Sequence, residues 1–136
     1  QPPPAAASPA RSRVLLADDN ADMRDYVRRL LARHYEVVAV GDGQQALDSI
    51  GEQLPDIVLT GVMVPRLDGF GATEVLKNDP ETGHIPIVIM TAHTYGSVGR
   101  RAVAAGCDGF LSKPLDPKRV LEEVRRRIGP GNGKPN

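Results

Sequence analysis

The chain has 136 residues, 40% of them hydrophobic, which suits a single domain of about 100–150 residues with a real core. Its 17 basic residues balance its 17 acidic ones, so no global field draws it to nucleic acid or to an anionic membrane. The single cysteine, Cys107, excludes an intrachain disulfide and a cysteine-built metal cage, which suits a reducing, cytoplasmic setting.

No apolar run approaches the roughly 18–20 residues that cross a bilayer. The chain starts Gln1-Pro2-Pro3-Pro4-Ala5-Ala6-Ala7-Ser8-Pro9-Ala10, without the basic start and apolar stretch of a secretion signal. That composition is typical of an interdomain linker, and no initiator Met precedes it. We expect a linker or tail over 1–12, one domain over 13–128 and a Gly/Pro tail over 129–136.

Four short apolar runs follow at wide spacing: Val14–Ala17, Val37–Val40, Ile57–Leu59 and Ile87–Met90. A weaker fifth is Phe110–Leu111. Their continuous rather than alternating character predicts strands covered on both faces, hence a parallel sheet. Between them lie segments of helical period. Asn20 is placed to cap a first helix with the stripe Met23, Val27, Leu30, Leu31. Ala46, Leu47 and Ile50 form a second stripe, and Phe70, Val75 and Leu76 a third. Gly96 and Gly99 weaken the fourth helix, because each glycine costs about 1 kcal/mol in a helix interior. Helix is predicted there from about Arg100 through Ala105, short and frayed. The last helix is capped by Asp116, starts at Pro117, buries Val120, Leu121, Val124 and Ile128, and stops at Gly129-Pro130. Arg125-Arg126-Arg127 reads as a solvated helix end whose cations suit the helix dipole.

Five βα units with right-handed crossovers give an α/β, doubly wound, flavodoxin-like (βα)5 fold, with helices on both faces of a five-stranded parallel sheet. Ligands of such sheets sit beyond the carboxyl ends of the strands, at the switch point of strand order. Asp18-Asp19, Gly61, Thr91 and Lys113 all fall at such ends. Paired carboxylates suit a hard cation such as Mg²⁺, although one of them could instead cap a helix. Lys113 supplies a point cation for a phosphoryl or carboxylate oxygen, and a cis bond at Lys113-Pro114 would aim it. Thr91 offers either a functional hydroxyl or a turn and cap. Cys107 reads as a core filler, and His34, His84 and His93 lack ligand spacing.

These segments resemble the receiver domain of two-component response regulators. The resemblance rests on Val14–Asn20, Pro55–Thr60, Met63–Phe70, Ile87–Ala92 and Ala104–Pro114, and covers roughly Arg13 to Ile128. The stretch Asn20–Tyr26 is most similar to receivers fused to hybrid sensor kinases. It implies strand order 2-1-3-4-5. It further implies Mg²⁺ held by Asp18, Asp19 and the backbone carbonyl of Met63, a phosphoryl contact from Lys113 beside Ala92, Thr91 as switch hydroxyl and Phe110 as the reporting aromatic. Implied partners are a histidine kinase, a phosphotransfer or output-domain protein, and a second copy of the chain; nucleic acid and membrane are not among them.

At Gly61 the sequence departs from that pattern, because the acceptor aspartate aligns there. Glycine has no side-chain nucleophile, so no acyl phosphate forms at that position, and Mg²⁺ binding is expected to be weak or absent. Thr60 and Ser112 do not match the acceptor's position, and Asp56 and Asp68 lie on the wrong side of the strand or loop. The expectation is a receiver-type signalling module, not an enzyme, that works without phosphorylation at the usual place. Natural divergence and a recent or deliberate substitution at Gly61 are both open. Two alternatives compete: a Mg²⁺-dependent small phosphatase or phosphotransferase with Asp18 as nucleophile, which departs from the Asp-x-Asp pair and cap of such enzymes, and a flavodoxin-like cofactor binder, whose phosphate Asp18-Asp19 would repel.

Overall fold

Neighbouring residues of β1 (Arg13–Ala17) pack into different cores, Val14 and Leu16 on one face of the sheet, Leu15 and Ala17 on the other. That two-sided burial is why its apolar run is unbroken. The computed structural model describes residues 12–62, 68–92 and 96–130. After β1 come α1 (Ala21–Ala32), β2 (Glu36–Val40), α2 (Gly43–Glu52), β3 (Ile57–Gly61), α3 (Gly69–Asn78), β4 (Ile87–Thr91), α4 (Gly96–Ala105), β5 (Gly109–Ser112) and α5 (Pro117–Ile128). The strands form one five-stranded sheet in the order β2-β1-β3-β4-β5, with every pairing parallel. This is the doubly wound, flavodoxin-like architecture that the five βα units predict. The chain steps from β1 outward to β2 and then back across to β3, so the switch point lies between β1 and β3.

Helices cover both faces. α1 and α5 bring Val27, Leu31, Val120 and Val124 onto Val14, Leu16, Ile57 and Leu59. On the opposite face α2 and α3 bring Ala46, Ile50 and Leu76 onto Leu15, Ala17, Val58 and Ile87. A third cluster joins Phe70 of α3 to Ile89 of β4 and to Ala102 and Ala105 of α4, with Cys107 packed against it. Burial is the main reason that the Cys107 thiol is pushed up from its ordinary pKa, with the neighbouring Asp108 charge adding to it. Asn20 caps α1 as its position predicts, accepting a bond from the Met23 N–H at 3.0 Å. Asp116 does the same for α5, with Pro117 in the first turn.

Three expectations need correction. α4 starts at Gly96, well before Arg100, and Gly99 is buried within it. Gly96 takes φ 74, a left-handed conformation that favours glycine at a helix start. Packing of the helix against Phe70 and Ile89 outweighs its poor propensity. Val75 is not part of the buried face of α3, since it is 48% exposed. Phe70, Thr73 and Leu76 share that face instead, at spacings of three. The basic run is not wholly solvated either, because Arg127 donates to the Asp108 carbonyl at 2.7 Å and pairs with buried Glu123.

Glu123 is the one carboxylate of α5 that reaches the interior, and sequence periodicity misses it. Burial works against its charge, but hydrogen bonds from Arg127 and Arg126 outweigh burial and hold its pKa below the ordinary 4.5. A carboxyl that is more acidic in the folded chain stabilises it above the ordinary value, and that contribution disappears as pH falls through the lower, folded value. The urea midpoint of the native chain should therefore fall more steeply below about pH 5 than that of Glu123→Gln, whose acid limb should be flatter. Parallel acid limbs would show that the Arg126–Glu123–Arg127 cluster contributes no pH-dependent stability.

Candidate functional site

Strand register brings the carboxyl ends of four strands into one row. Ala17 pairs with Thr60, Gly61 with Met90, and Thr91 with Ser112. The residue after Ala17 is Asp18, level with Gly61, and the residue after Ser112 is Lys113, whose N–H bonds the Thr91 carbonyl at 2.9 Å. The four strand ends picked out by the sequence thus frame one cleft of about 330 Å³, lined by Asp18, Asp19, Gly61, Thr91, Ala92 and Lys113, with Val62, Met90 and Val98 supplying its apolar wall.

Within the cleft the two adjacent carboxylates differ. Asp18 is 2% exposed, whereas Asp19 is open to solvent. Asp18 is held at both oxygens: Oδ1 accepts the Asn20 N–H at 2.9 Å, and Oδ2 meets the Lys113 Nζ at 3.3 Å. A buried carboxylate needs such partners, because desolvation of an unpaired charge is costly. The Lys113–Pro114 peptide is cis. Thr91 is buried, Ala92 is exposed, and Phe110 is half-buried against the α3–α4 cluster. Met63 and His93 lie outside the described residues.

Gly61 ends β3 in a buried position, and its carbonyl accepts the Thr60 hydroxyl at 3.0 Å. That bond occupies the hydroxyl next to Gly61 in sequence. The two other acids near β3 work elsewhere. Asp56 accepts the Arg13 N–H at 2.7 Å at the opposite end of the sheet, and Asp68 caps α3 by accepting the Gly71 N–H at 2.8 Å.

Two residues that shape the site escape a reading of strand ends. Arg24, one turn into α1, donates to the Asp18 carbonyl at 2.8 Å and fixes the backbone that carries the acidic pair. Gly41 leaves room for it, since a Cβ there would stand 3.2 Å from the guanidinium. Gly69 packs against the other wall, where its N–H bonds the Val62 carbonyl at 3.0 Å. The Asp68-Gly69 pair is a visible signal in the sequence, but which backbone it approaches is not.

As donors, Asp18 and Asp19 offer the hard oxygens that Mg²⁺ takes, usually one or two carboxylates completed by waters. The described residues contain no group of three or more His, Cys, Asp or Glu placed to hold a metal. By its chemistry the acidic pair fits the ion, but it supplies two donors only, and the Lys113 ammonium is already in contact with Asp18.

Comparison with known proteins agrees with this geometry. The response regulator receiver domain family matches residues 14–125. The response regulator PleD of Caulobacter vibrioides is 39% identical over 115 residues, covering 84% of this chain and 25% of PleD. The chain thus spans about a quarter of that relative's length. The polar-differentiation response regulator DivK of Brucella anthropi is 29% identical over 119 residues, covering 88% of this chain and 97% of DivK. Among solved structures, the chemotaxis protein CheY4 of Vibrio cholerae matches with a TM-score of 0.82 at 28% identity, over 88% of this chain and 100% of CheY4. The receiver domain of the sensor histidine kinase PA1611 from Pseudomonas aeruginosa, solved with a magnesium ion coordinated in its active-site cleft, matches with a TM-score of 0.81 at 29% identity, over 88% of this chain and 99% of that one. A five-stranded parallel sheet in this order, with an acidic pair, a threonine and a lysine gathered at its carboxyl edge, belongs to the response regulator receiver domains of two-component signalling, and this chain is a member of that family.

Proposed function

We propose that this receiver domain signals without phosphorylation at the usual position, as a phosphorylation-independent interaction module or an acceptor-null variant. The observation that carries the reading is Gly61, which lines the strand-end cleft together with Asp18 and Lys113 and stands level with Asp18. The other residues of the pocket are present, but the position facing them has no carboxylate to attack phosphorus. Incubation of the native chain with Mg²⁺ and acetyl phosphate, followed by intact mass measurement, should leave the mass unchanged. A stoichiometric, hydroxylamine-labile phosphoryl adduct would overturn the reading.

Asp18 and Asp19, with the Met63 carbonyl, would hold Mg²⁺, and the bound ion would supply positive charge toward a phosphoryl group. Thr91 and Ala92 would stand beside that group, Lys113 would contact it, and Phe110 would report the state of the α4–β5 surface. In this chain Lys113 is engaged with Asp18, so the ammonium and the cation compete for one carboxylate. Lys113→Ala should therefore strengthen Mg²⁺ binding about tenfold by calorimetry, because a like charge within a few ångströms is removed. The same variant should be less stable than the native chain without Mg²⁺, by about 1–2 kcal/mol, because a buried carboxylate loses a partner. Unchanged Mg²⁺ affinity would show that the Lys113–Asp18 contact does not persist in solution.

The receiver unit spans 13–128 and comes from a cytoplasmic, multidomain regulator or hybrid kinase, with 1–12 and 129–136 as flanking segments. The similarity to the PA1611 receiver, itself part of a sensor kinase, supports this placement. The described residues contain no helix long and apolar enough to cross a membrane. Its partners are a histidine kinase, a phosphotransfer or output-domain protein, or a second copy. A phosphatase built on Asp18 is not favoured: that carboxylate is buried and bound at both oxygens.

A further inference from the structure

Leu54 and Val75 are 47% and 48% exposed, unusual for large apolar side chains in this fold. Both line a single groove of about 340 Å³ between the end of α2 and the end of α3. Leu47 and Ile50 form its floor. Gly51 also lines it, and a Cβ built there would meet nothing within 4 Å, so a larger side chain has room at this position. Apolar surface gathered in a concave site, rather than scattered singly, marks a place where another molecule is desolvated.

The rim of the groove is acidic. Glu52 closes α2, and Asp79 and Glu81 follow α3, whereas no lining residue carries a positive charge. The Asp79 carboxylate accepts the Glu81 N–H at 2.9 Å, so this part of the rim is preformed. The nearby cations are already engaged. Lys77 of α3 is turned onto the carbonyls of Gly83 and Ile85, at 3.2 and 2.9 Å, and onto Asp108 at 2.8 Å. Arg13 donates to the Gln53 side chain, and the same guanidinium nitrogen pairs with Glu36 at 3.0 Å. In a chain of zero formal charge, this is a local concentration of negative charge around a groove of mixed polar and apolar lining.

We propose that the α2–α3 groove docks a cationic amphipathic helix of a partner protein. Apolar side chains one turn apart on that helix would seat between Leu54 and Val75, and flanking Lys or Arg would face Glu52, Asp79 and Glu81. Apolar burial supplies most of the affinity of a helix laid in a groove, and the charges set its orientation and speed its encounter. The groove shares no residue with the cleft that holds Gly61, so the proposal does not depend on how that cleft is read.

The test is chemical-shift mapping on the isotope-labelled full chain with a synthetic Leu/Lys peptide patterned as an amphipathic helix, and with its Leu/Glu counterpart. The Leu/Lys peptide should cause saturable shifts at Gly51, Glu52, Leu54, Val75 and Glu81, and the Leu/Glu peptide none. Binding should weaken about tenfold in the double variant Glu52→Lys, Glu81→Lys, and with added salt. Gly51→Arg, whose Cβ has open space and which sets a bulky cation among the lining residues, should abolish it while the spectrum elsewhere stays native. Shifts centred on another face, equal binding of the two peptides, or undiminished binding to the variants would overturn the proposal. So would shifts at these amides that depend on protein concentration alone, because the groove would then belong to a second copy.

Discussion

Gly61→Asp is expected to take a phosphoryl group nearly stoichiometrically from acetyl phosphate in the presence of Mg²⁺, which the native chain is expected not to do. The introduced carboxylate oxygen would attack phosphorus, the bond to the acetate oxygen would break, and acetate would leave with the electron pair. What makes one substitution sufficient is that the rest of the apparatus is already in register: Asp18 lies level with position 61, Lys113 lies within 3.3 Å of Asp18, and Thr91 is adjacent on β4. The new carboxylate should also draw Lys113 from Asp18, so Mg²⁺ affinity should rise with the third anionic ligand. Intact mass, cleavage of the adduct by hydroxylamine and its absence in Gly61→Asn would check the result. Failure of the variant to label, while its Mg²⁺ affinity rises, would show a pocket specialised beyond its missing acceptor.

Gly69→Ala should be among the most destabilising single-methyl additions in the domain. A Cβ at position 69 would lie 2.4 Å from the Gly61 carbonyl oxygen, 3.3 Å from its carbonyl carbon and 3.4 Å from the Val62 Cα. All three are backbone atoms, so no flexible side chain can yield. Either α3 shifts or the end of β3 does. Overpacking of this kind costs about 3 kcal/mol. The urea midpoint should drop accordingly, and the amide shifts of Thr60, Gly61 and Val62 should move more than those of α3's far end. An unfolding free energy within about 0.5 kcal/mol of the native chain's would mean that the β3–α3 junction relaxes freely. The experiment also bears on the site, since the wall that Gly69 approaches is the strand end that carries position 61.

Much of the fold was legible beforehand because its signals are local. Continuous apolar runs such as Ile57–Leu59 reflect burial on both faces, and Asn20 and Asp116 mark helix starts through bonds that span only two or three residues. The failures have a common physical origin. Val75 looks like core by hydrophobicity, but its angle around the helix axis points it to solvent. α4 looks too glycine-rich to start before Arg100, but contacts with Phe70 and Ile89 outweigh propensity. Glu123 looks like surface, but two arginines of its own helix neutralise it in a buried position.

The candidate site shows the same division. The sequence by itself determined which chemical groups stand at the strand ends, the family to which that set belongs, and the absence of a carboxylate at position 61. Those are properties of residue identity and spacing. Only the tertiary structure decided how the groups pair: Lys113 on Asp18, Arg24 under the Asp18 carbonyl, and Gly69 against the Gly61–Val62 backbone. These contacts join residues on different elements, and their distances follow from strand register and helix packing, which no local pattern encodes.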